Sequence, residues 1–576
     1  MERRLLLVFA LTFVVILLFQ PLLKKYGPQP PAPKPEAQSQ NPQVPQNQPP
    51  APPATSAAPG TSASRKNVAA AATKKQAEGE AEAVIENDLY KITFSNRGGR
   101  VKSWVLKKYK DKPNGSPLDL VNSASAEKYG YPLTLWTYDE SLRNKLNSAL
   151  YVAASTGTSA PAEITFEYAD GEVTARKSYK FDHSYIVEVH TSVEVNGAPV
   201  SAFPMWPSGF GDETNAAAYA ASQIAYQYDA NVERLAMKKI SGGGTVPGPF
   251  HWAGVSDQYF AAVFVPQDPQ NAAMVTLRNV IEIPHKPSDK EDKQLDKVDV
   301  LGVAVGSLKG ATAVRMYVGP KTLEALQAVT VPGITGAEPD LRGIVDFGWL
   351  GLIARPLFLW LRWTFKYVHN WGWAIVIQTI IINLALLPLR LSQMKSMLKM
   401  QRVAPQIKAI QEKYKKYSLR DPKKAEMNEE ISALYKKEGV NPIGGCLPLL
   451  IQMPFLFAYY RMLGVAIDLR HAPWLWVPDL SAPDPHWVLP IAIVVTMFFM
   501  QRMTPQAGMD PTQQKMMNFM MPAMLGYISF NLAAGLCLYW AMGQLIGIVQ
   551  QWALNQSPLG REMREMMEKR ARKKEK

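Results

Sequence analysis

The stretch "WGWAIVIQTIIINLALLPLR", residues 371–390, has the apolar run of a membrane-spanning helix interrupted by three polar side chains. Gln378, Thr379 and Asn383 sit among isoleucines and leucines, where hydrocarbon offers an amide or hydroxyl no partner. Polar groups at bilayer depth are costly, so their presence marks a meeting with water or cargo. The rest of the chain has to account for them.

The formal net charge of +14 over 576 residues is unevenly spread, with much of the excess at 390–440 and after Arg561. Neither run is interleaved with a nucleic-acid motif, which argues against a general nucleic-acid binder. The two cysteines, Cys446 and Cys537, fall in apolar stretches and imply no disulfide framework. The absence of a GxxxxGKS or GxxxxGKT loop argues against a built-in nucleotide motor.

Composition divides the chain. "LLLVFALTFVVILLF", 5–19, follows Arg3 and Arg4 with no A-x-A-like site after it, which predicts an uncleaved anchor over 1–23. Residues 24–83 are rich in Pro, Gln, Ala and Ser, the composition of a disordered linker. From 84 to 340 the pattern turns to strands. "YKITFS", "AEITFEY", "YIVEVHTSVEV" and "ATAVRMYVG" alternate β-branched and aromatic residues with polar ones between turn residues, which predicts a large antiparallel sandwich. His183 and His190, seven apart on one expected strand, point to opposite faces and cannot share a metal ion.

In 341–370 a helix is expected with Arg355, Arg362 and Lys366 within about 40° of one another on its wheel. Trp349, Phe358, Trp360 and Trp363 flank this stripe, the pattern of a helix lying in a membrane interface. Five apolar segments follow within 371–553: about 371–390, 444–467, 487–502, 516–531 and 535–553. With the anchor they make six spans, so both termini share a side. The Lys- and Arg-rich loop 391–440 and tail 554–576 place that side in the cytoplasm, and the sandwich on the outer face. Within the loop, Val403, Ile407, Ile410, Tyr414 and Tyr417 alternate spacings of four and three, and Met427, Ile431 and Leu434 repeat them after "LRDPKK". Two antiparallel helices packed on that seam are predicted, with Asp421 as an N-cap.

At "NPIGGCLPLLIQMPFLFAYY", 441–460, the sequence resembles the YidC/Oxa/Alb family of membrane protein insertases. "LSAPDPHWVLPI", 480–491, "VTMFFMQRMTP", 495–505, and "AGLCLYW", 534–540, extend the resemblance through the core. "IENDLYKITFSNRGGRVKSW", 85–104, and "DQYFAAVFVP", 257–266, resemble the Gram-negative members with a large periplasmic domain. The resemblance implies a multi-domain inner-membrane protein: an all-α core of five transmembrane helices plus an N-terminal anchor helix, an interfacial helix, a cytoplasmic helical hairpin and a periplasmic all-β supersandwich. It implies insertion of nascent membrane proteins, alone or beside the Sec translocon, with no enzyme activity, cofactor or metal. The hairpin and tail are then docking surfaces for the ribosome, the signal recognition particle or its receptor, and the core faces membrane lipids.

The family surrounds a hydrophilic groove, open to cytoplasm and lipid, that usually carries an arginine in the second span. Alignment on "NWG" puts that position at Asn383, so the cation is missing here. The expected groove is lined by Gln378, Thr379, Asn383 and Gln452, with Arg461 as a partial substitute for the lost charge. By the same alignment Met453, Leu456, Met524, Ile528, Tyr539 and Trp540 match positions that contact the substrate helix.

Two other function classes compete. A six-span transporter or channel with an accessory outer domain predicts internal repeats and paired broken helices, and the sequence displays neither. A sugar-active sandwich would draw on Asp257 and His251, yet no acid/base pair stands out.

Overall fold

The computed structural model describes residues 74–229, 231–285, 294–331, 340–417, 421–439, 447–503 and 516–558, together with Arg561 and Glu565. The expected anchor, most of the linker and most of the tail lie outside the described residues. The linker expected to run to residue 83 ends sooner. Lys75 already exchanges backbone hydrogen bonds with Ala169, and Ala77 N–H donates to Leu150 O at 3.1 Å.

Alternation in sequence becomes alternation in burial. Val173–Phe181 runs buried, exposed, buried along nearly its whole length, because successive side chains leave opposite faces of a strand. Three antiparallel sheets result among the described residues. The largest, of ten strands, runs Asn231–Arg234, Gln223–Tyr228, Trp252–Ser256, Phe260–Pro266, Thr312–Pro320, Ile186–Val195, Val173–Phe181, Ala162–Ala169, Val152–Ser155, with Ala198–Val200 beside Ile186–Val195. A five-stranded sheet centres on the 13-residue pair Ala272–Pro284 and Leu295–Ser307. A four-stranded sheet of Glu82–Glu86, Tyr90–Ser95, Arg100–Lys110 and Pro117–Asp119 completes the sandwich. Trp104, Trp206, Phe94 and Phe166 lie wholly inside. His190 is on a strand, whereas His183 lies in the turn before it.

Two polar features interrupt this core. The fully buried Lys177 donates to the carbonyls of Leu133 at 2.6 Å, Gly98 at 2.7 Å and Gly99 at 3.1 Å, and burial pushes its ammonium down to about 7. Glu213 accepts from Phe210 N–H at 2.8 Å and from Ser222 Oγ. Burial, and then the charge of Asp257, push its carboxyl up to about 8. Asp212 beside them is raised by the same two causes. Asp257 accepts from Tyr259 and Phe260 N–H at 2.7 and 2.6 Å, so it closes a turn. His251 stands at the other end of the strand Trp252–Ser256, about 20 Å away at 3.3 Å per residue. The two do not form an acid/base pair.

Among the described residues the second half forms helices α1 (Gly351–Val368), α2 (Trp371–Ala385), α3 (Leu387–Lys413), α4 (Lys423–Lys437), α5 (Leu447–Val465), α6 (Val488–Met503), α7 (Met521–Ser529) and α8 (Ala534–Gln556). Helices α3 and α4 form the expected hairpin. Val403, Ile407 and Tyr414 are buried on its seam, Ile431 and Leu434 pack against Val403 and Ile407, and Asp421 accepts from Lys423 N–H at 2.9 Å. Helix α1 buries Ala354, Leu357, Phe358, Leu361 and Thr364, a stripe at spacings of three, one, three and three. Leu352, Leu359, Trp363 and Tyr367 remain on its open face, with Lys366 exposed beside them. Arg362 pairs with Glu324, and Arg355 is half-buried.

The five expected spans coincide with helices, but none of the described helices is long and apolar enough to cross a membrane. The causes are local. Helix α2 is 15 residues, about 22 Å at 1.5 Å per residue, because Pro388 restarts the chain as α3. The 516–531 segment divides into a π turn at Met516–Met520 and the nine residues of α7. Helix α5 carries Arg461, and α8 carries Gln544, Gln550 and Gln551.

The sandwich and helices meet through the α5–α6 loop. Ile467 packs into the sandwich core, Gln258 Nε2 donates to Gly464 O at 2.8 Å, and the Arg470 guanidinium lies 5.7 and 5.5 Å from the rings of Tyr259 and Phe260.

Candidate functional site

Helix α2 is built inside out. Asn370 caps it, its side chain accepting from Trp373 N–H at 3.1 Å, and sets the rotation of everything after. Gly372 is required at the first turn, since a Cβ there would lie 2.1 Å from Cδ1 of Trp474. With that rotation the buried stripe holds Ile375, Gln378, Thr379, Ile382 and Asn383, while Ile380, Ile381 and Leu384 face outward. The three polar residues that break the apolar run therefore all point into the bundle. They are 0, 0 and 1 % exposed, so they do not line an open surface in this conformation.

Each finds its partner internally, as buried polar groups must. Gln378 Nε2 donates to Leu357 O of α1 at 3.0 Å, and its Oε1 accepts from the Tyr459 hydroxyl of α5. Thr379 Oγ1 bonds back to Ile375 O at 2.7 Å, and Asn383 Nδ2 to Thr379 O at 2.8 Å. Gln550 of α8 reaches across to Asn383 O at 3.2 Å, and its own buried Oε1 has no partner among the described residues. Gly543, seven residues before Gln550, lies on the same side of α8, where a Cβ would meet Asn383 Nδ2 at an ordinary contact distance of 3.9 Å.

The cation of this polar line is Arg390. It sits two turns beyond Asn383, half-buried, and its Nη2 donates to Asn383 Oδ1 at 3.1 Å. A Cβ at Gly547 would lie 3.0 Å from Nη1. Arg461, expected to reach the groove lined by Gln378, Thr379, Asn383 and Gln452, is directed elsewhere in this conformation. Arg461 instead pairs with Asp346 at 2.8 Å, on the side where α5 meets the sandwich, and Asp346 lies 3.9 Å from Arg234 of the strand Asn231–Arg234. Its depth explains this. Arg461 is 14 residues into α5, near the end that runs into the loop docked on the sandwich.

The positions matched to substrate contact divide. Met524 and Ile528, one turn apart on α7, are 49 and 39 % exposed. Leu456 and Trp540 are half-buried and pack on the helical core, and Met453 is half-buried. Tyr539 is buried, its ring stacked on Tyr459 with centroids 3.9 Å apart and planes at 11°. It closes the line above Gln378 and presents no outward surface. The side chain of Gln452 lies outside the described residues.

Sequence reasoning missed Arg390, Tyr459 and Gln550. The seven-residue interval from Asn383 to Arg390 was a usable signal, because two helical turns return to nearly the same face. Nothing in the sequence paired Gln378 with Tyr459 or Asn383 with Gln550, which are 81 and 167 residues apart.

Residues 82–360 match a family model described as the YidC periplasmic domain, and residues 363–560 match one described as 60Kd inner membrane protein. The membrane protein insertase YidC of Syntrophus aciditrophicus is 31 % identical over 577 residues, covering 96 % of this chain and 99 % of the relative. That of Geobacter metallireducens is 32 % identical, covering 97 % and 99 %. A crystal structure of an active YidC insertase with its first transmembrane domain resolved aligns over 85 % of this chain and 95 % of its own at 18 % identity, with a TM-score of 0.35.

Proposed function

This chain belongs to the YidC family of membrane protein insertases, and on that premise we propose that α2 and α5 to α8 enclose a polar path along which hydrophilic ends of nascent chains cross the inner membrane. The observation that carries this is the inverted bundle. Large apolar side chains such as Ile381, Leu384, Ile491, Phe499, Val549 and Trp552 stand exposed, while Gln378, Thr379, Asn383 and Gln550 are inside. Water penalises that arrangement and lipid favours it. On this reading the five core helices lie at membrane depth, and the basic residues of the hairpin favour the cytoplasm for it and the periplasm for the sandwich. The exposed aromatic stripe of α1, with Lys366 beside it, suits the membrane interface.

Short helices serve the reaction. Helix α6, 16 residues or about 24 Å, and the continuous helical stretch of the π turn and α7, 14 residues or about 21 Å, fall below a hydrocarbon core near 30 Å, which thins the adjoining bilayer. A substrate span gains roughly 0.3–0.6 kcal/mol for each Leu, Ile, Phe or Val at the bilayer centre, and each Asp, Lys or Arg in its flank costs about 2.5–3.5 kcal/mol there. Insertion is therefore downhill once the flank is across. The protein lowers a barrier and supplies no work. The polar line must open for this, since its amides are hydrogen-bonded within the closed bundle, and the exposed Met524 and Ile528 give the entering helix an apolar surface. The basic outer face of the hairpin suits ribosomal RNA or a targeting factor, and the sandwich suits the Sec translocon as a neighbour.

The test is reconstitution of the full chain into liposomes with a single-span substrate. Protease-protected substrate should appear without nucleotide and in proportion to the chain; equal protection in empty liposomes would refute the reading.

A further inference from the structure

Where α5 meets the sandwich, two arginines share one carboxylate. Asp346 Oδ2 accepts from Arg461 Nη2 at 2.8 Å, while its Oδ1 accepts from Gly348 N–H at 2.8 Å and lies 3.9 Å from Arg234 Nε. No other carboxylate among the described residues pairs with either guanidinium, so the trio carries one uncompensated positive charge. Its donors are uncompensated as well. Arg461 spends Nη2 on that carboxylate and on Asp346 O at 3.2 Å, and Arg234 spends Nη2 on Gly343 O at 2.7 Å. Each guanidinium has five N–H groups. The Nε–H and both Nη1–H groups of each are left without a hydrogen-bond partner among the described residues, and Arg234 Nε is buried. Gly348, at a φ of 66°, seats Arg461 against the turn, since a Cβ there would lie 3.1 Å from Nε.

The surroundings are those of a bilayer surface. Arg461 lies four residues, about 6 Å, from the end of α5 at Val465, on the side of the sandwich. Trp349 and Leu352, 81 and 90 % exposed, follow Asp346 within six residues, and the exposed Tyr460 precedes Arg461. Guanidinium groups grip phosphate bidentately, and exposed aromatic side chains settle at headgroup level. A free anion needs only the donors; a lipid also makes use of the apolar rim. We propose that Arg234 and Arg461 together hold the phosphate of an anionic phospholipid of the outer leaflet, at the joint between α5 and the sandwich. Asp346 competes with that phosphate and keeps the two arginines side by side in its absence. This goes beyond the insertase reading and takes from it only the placement of the core helices in lipid.

The experiment titrates the full chain, in a neutral detergent, with phosphatidylglycerol and counts the lipids retained per chain by native mass spectrometry. Phosphatidylcholine and inorganic phosphate are run in parallel. Wild type should take up one phosphatidylglycerol before any others, and more readily than phosphatidylcholine. Arg461→Gln and Arg234→Gln should each weaken that first site about tenfold, as loss of a charge-assisted pair does. Asp346→Asn should strengthen it, because the competing carboxylate is gone, whereas a purely structural ion pair predicts weakening in all three variants. Inorganic phosphate in large excess should leave the lipid in place. A first site unchanged in both glutamine variants, or weakened by Asp346→Asn, overturns the proposal, as does a wild type whose first lipid binds no more tightly than the rest. Displacement by inorganic phosphate overturns the lipid assignment in favour of a free-anion site. Should a glutamine variant fail to fold, Asp346→Asn still decides, since misfolding does not tighten a site. A wild-type chain that retains no phospholipid and does not float with liposomes overturns the placement of the core helices in lipid instead.

Discussion

The guanidinium of Arg461 lies 2.8 Å from the carboxylate of Asp346, and Arg234 of the sandwich approaches the same carboxylate at 3.9 Å. Asp346 thus joins α5 to the sandwich, and the charge of Arg461 is committed there. Both partners are partly exposed, so the pair contributes no more than about 1 kcal/mol. Asp346→Asn should lower the thermal midpoint by a few degrees at most and leave insertion of a neutral-tailed substrate within twofold of wild type. A loss of tenfold or more would return Arg461 to a role in translocation.

The Tyr459 hydroxyl is the donor to Gln378 Oε1. Tyr459→Phe keeps the stacking on Tyr539 but strips a buried acceptor of its partner, which costs about 1–3 kcal/mol. Tyr459→Phe with Gln378→Met removes donor and acceptor together and should recover part of that loss. Denaturation of the purified chain in detergent measures both. A double variant less stable than the sum of the two single changes would contradict the pairing.

Lys177 ties three backbone carbonyls from two loops to one ammonium inside the sandwich. Lys177→Met fits the volume but leaves those carbonyls without a donor, and a loss of about 3 kcal/mol or more is expected. Hydrogen exchange around Gly98 and Gly99 should accelerate before that of the remaining sheets. Unchanged exchange there would show that the lysine is not what holds the loop.

Glu213 gives the sandwich a pH dependence whose sign follows from linkage. Its folded carboxyl is raised from 4.5 to about 8, so between these values the native state keeps a proton that the unfolded chain releases. Stability is therefore fully present below about 4.5 and falls as pH rises toward 8. Lys177 and Lys321 are lowered to about 7 and about 8, so they oppose the trend only above neutrality. From pH 4.5 to 7 a single such carboxyl contributes a decline of about 3 kcal/mol at 1.36 kcal/mol per unit. Glu213→Gln should flatten that slope in urea titrations followed by sandwich tryptophan fluorescence. An unaltered slope would assign the dependence to other groups, Asp212 first among them.

Local pattern was enough wherever the physics is local. Period-two alternation in "YKITFS" and "AEITFEY" located the strands Tyr90–Ser95 and Ala162–Ala169 to within a residue, because strand side chains alternate whatever lies opposite. The four-and-three spacing from Val403 to Tyr414 located the hairpin seam for the same reason. The family motifs identified the insertase. Charge pairing was not legible, because it depends on which turn of which helix faces which neighbour. Arg461 and Arg390 are both arginines near apolar segments, and beyond the seven-residue interval from Asn383 to Arg390 nothing in sequence separates them. Packing of α5 against the sandwich directs the first to Asp346, 115 residues away, and the space at Gly547 on α8 admits the second beside Asn383. The polarity of "IQTIIINL" was written in the chain; that its amides bond to α1, α5 and α8 was decided only when those helices closed round them, since a buried amide must take whatever partner the neighbouring backbone presents.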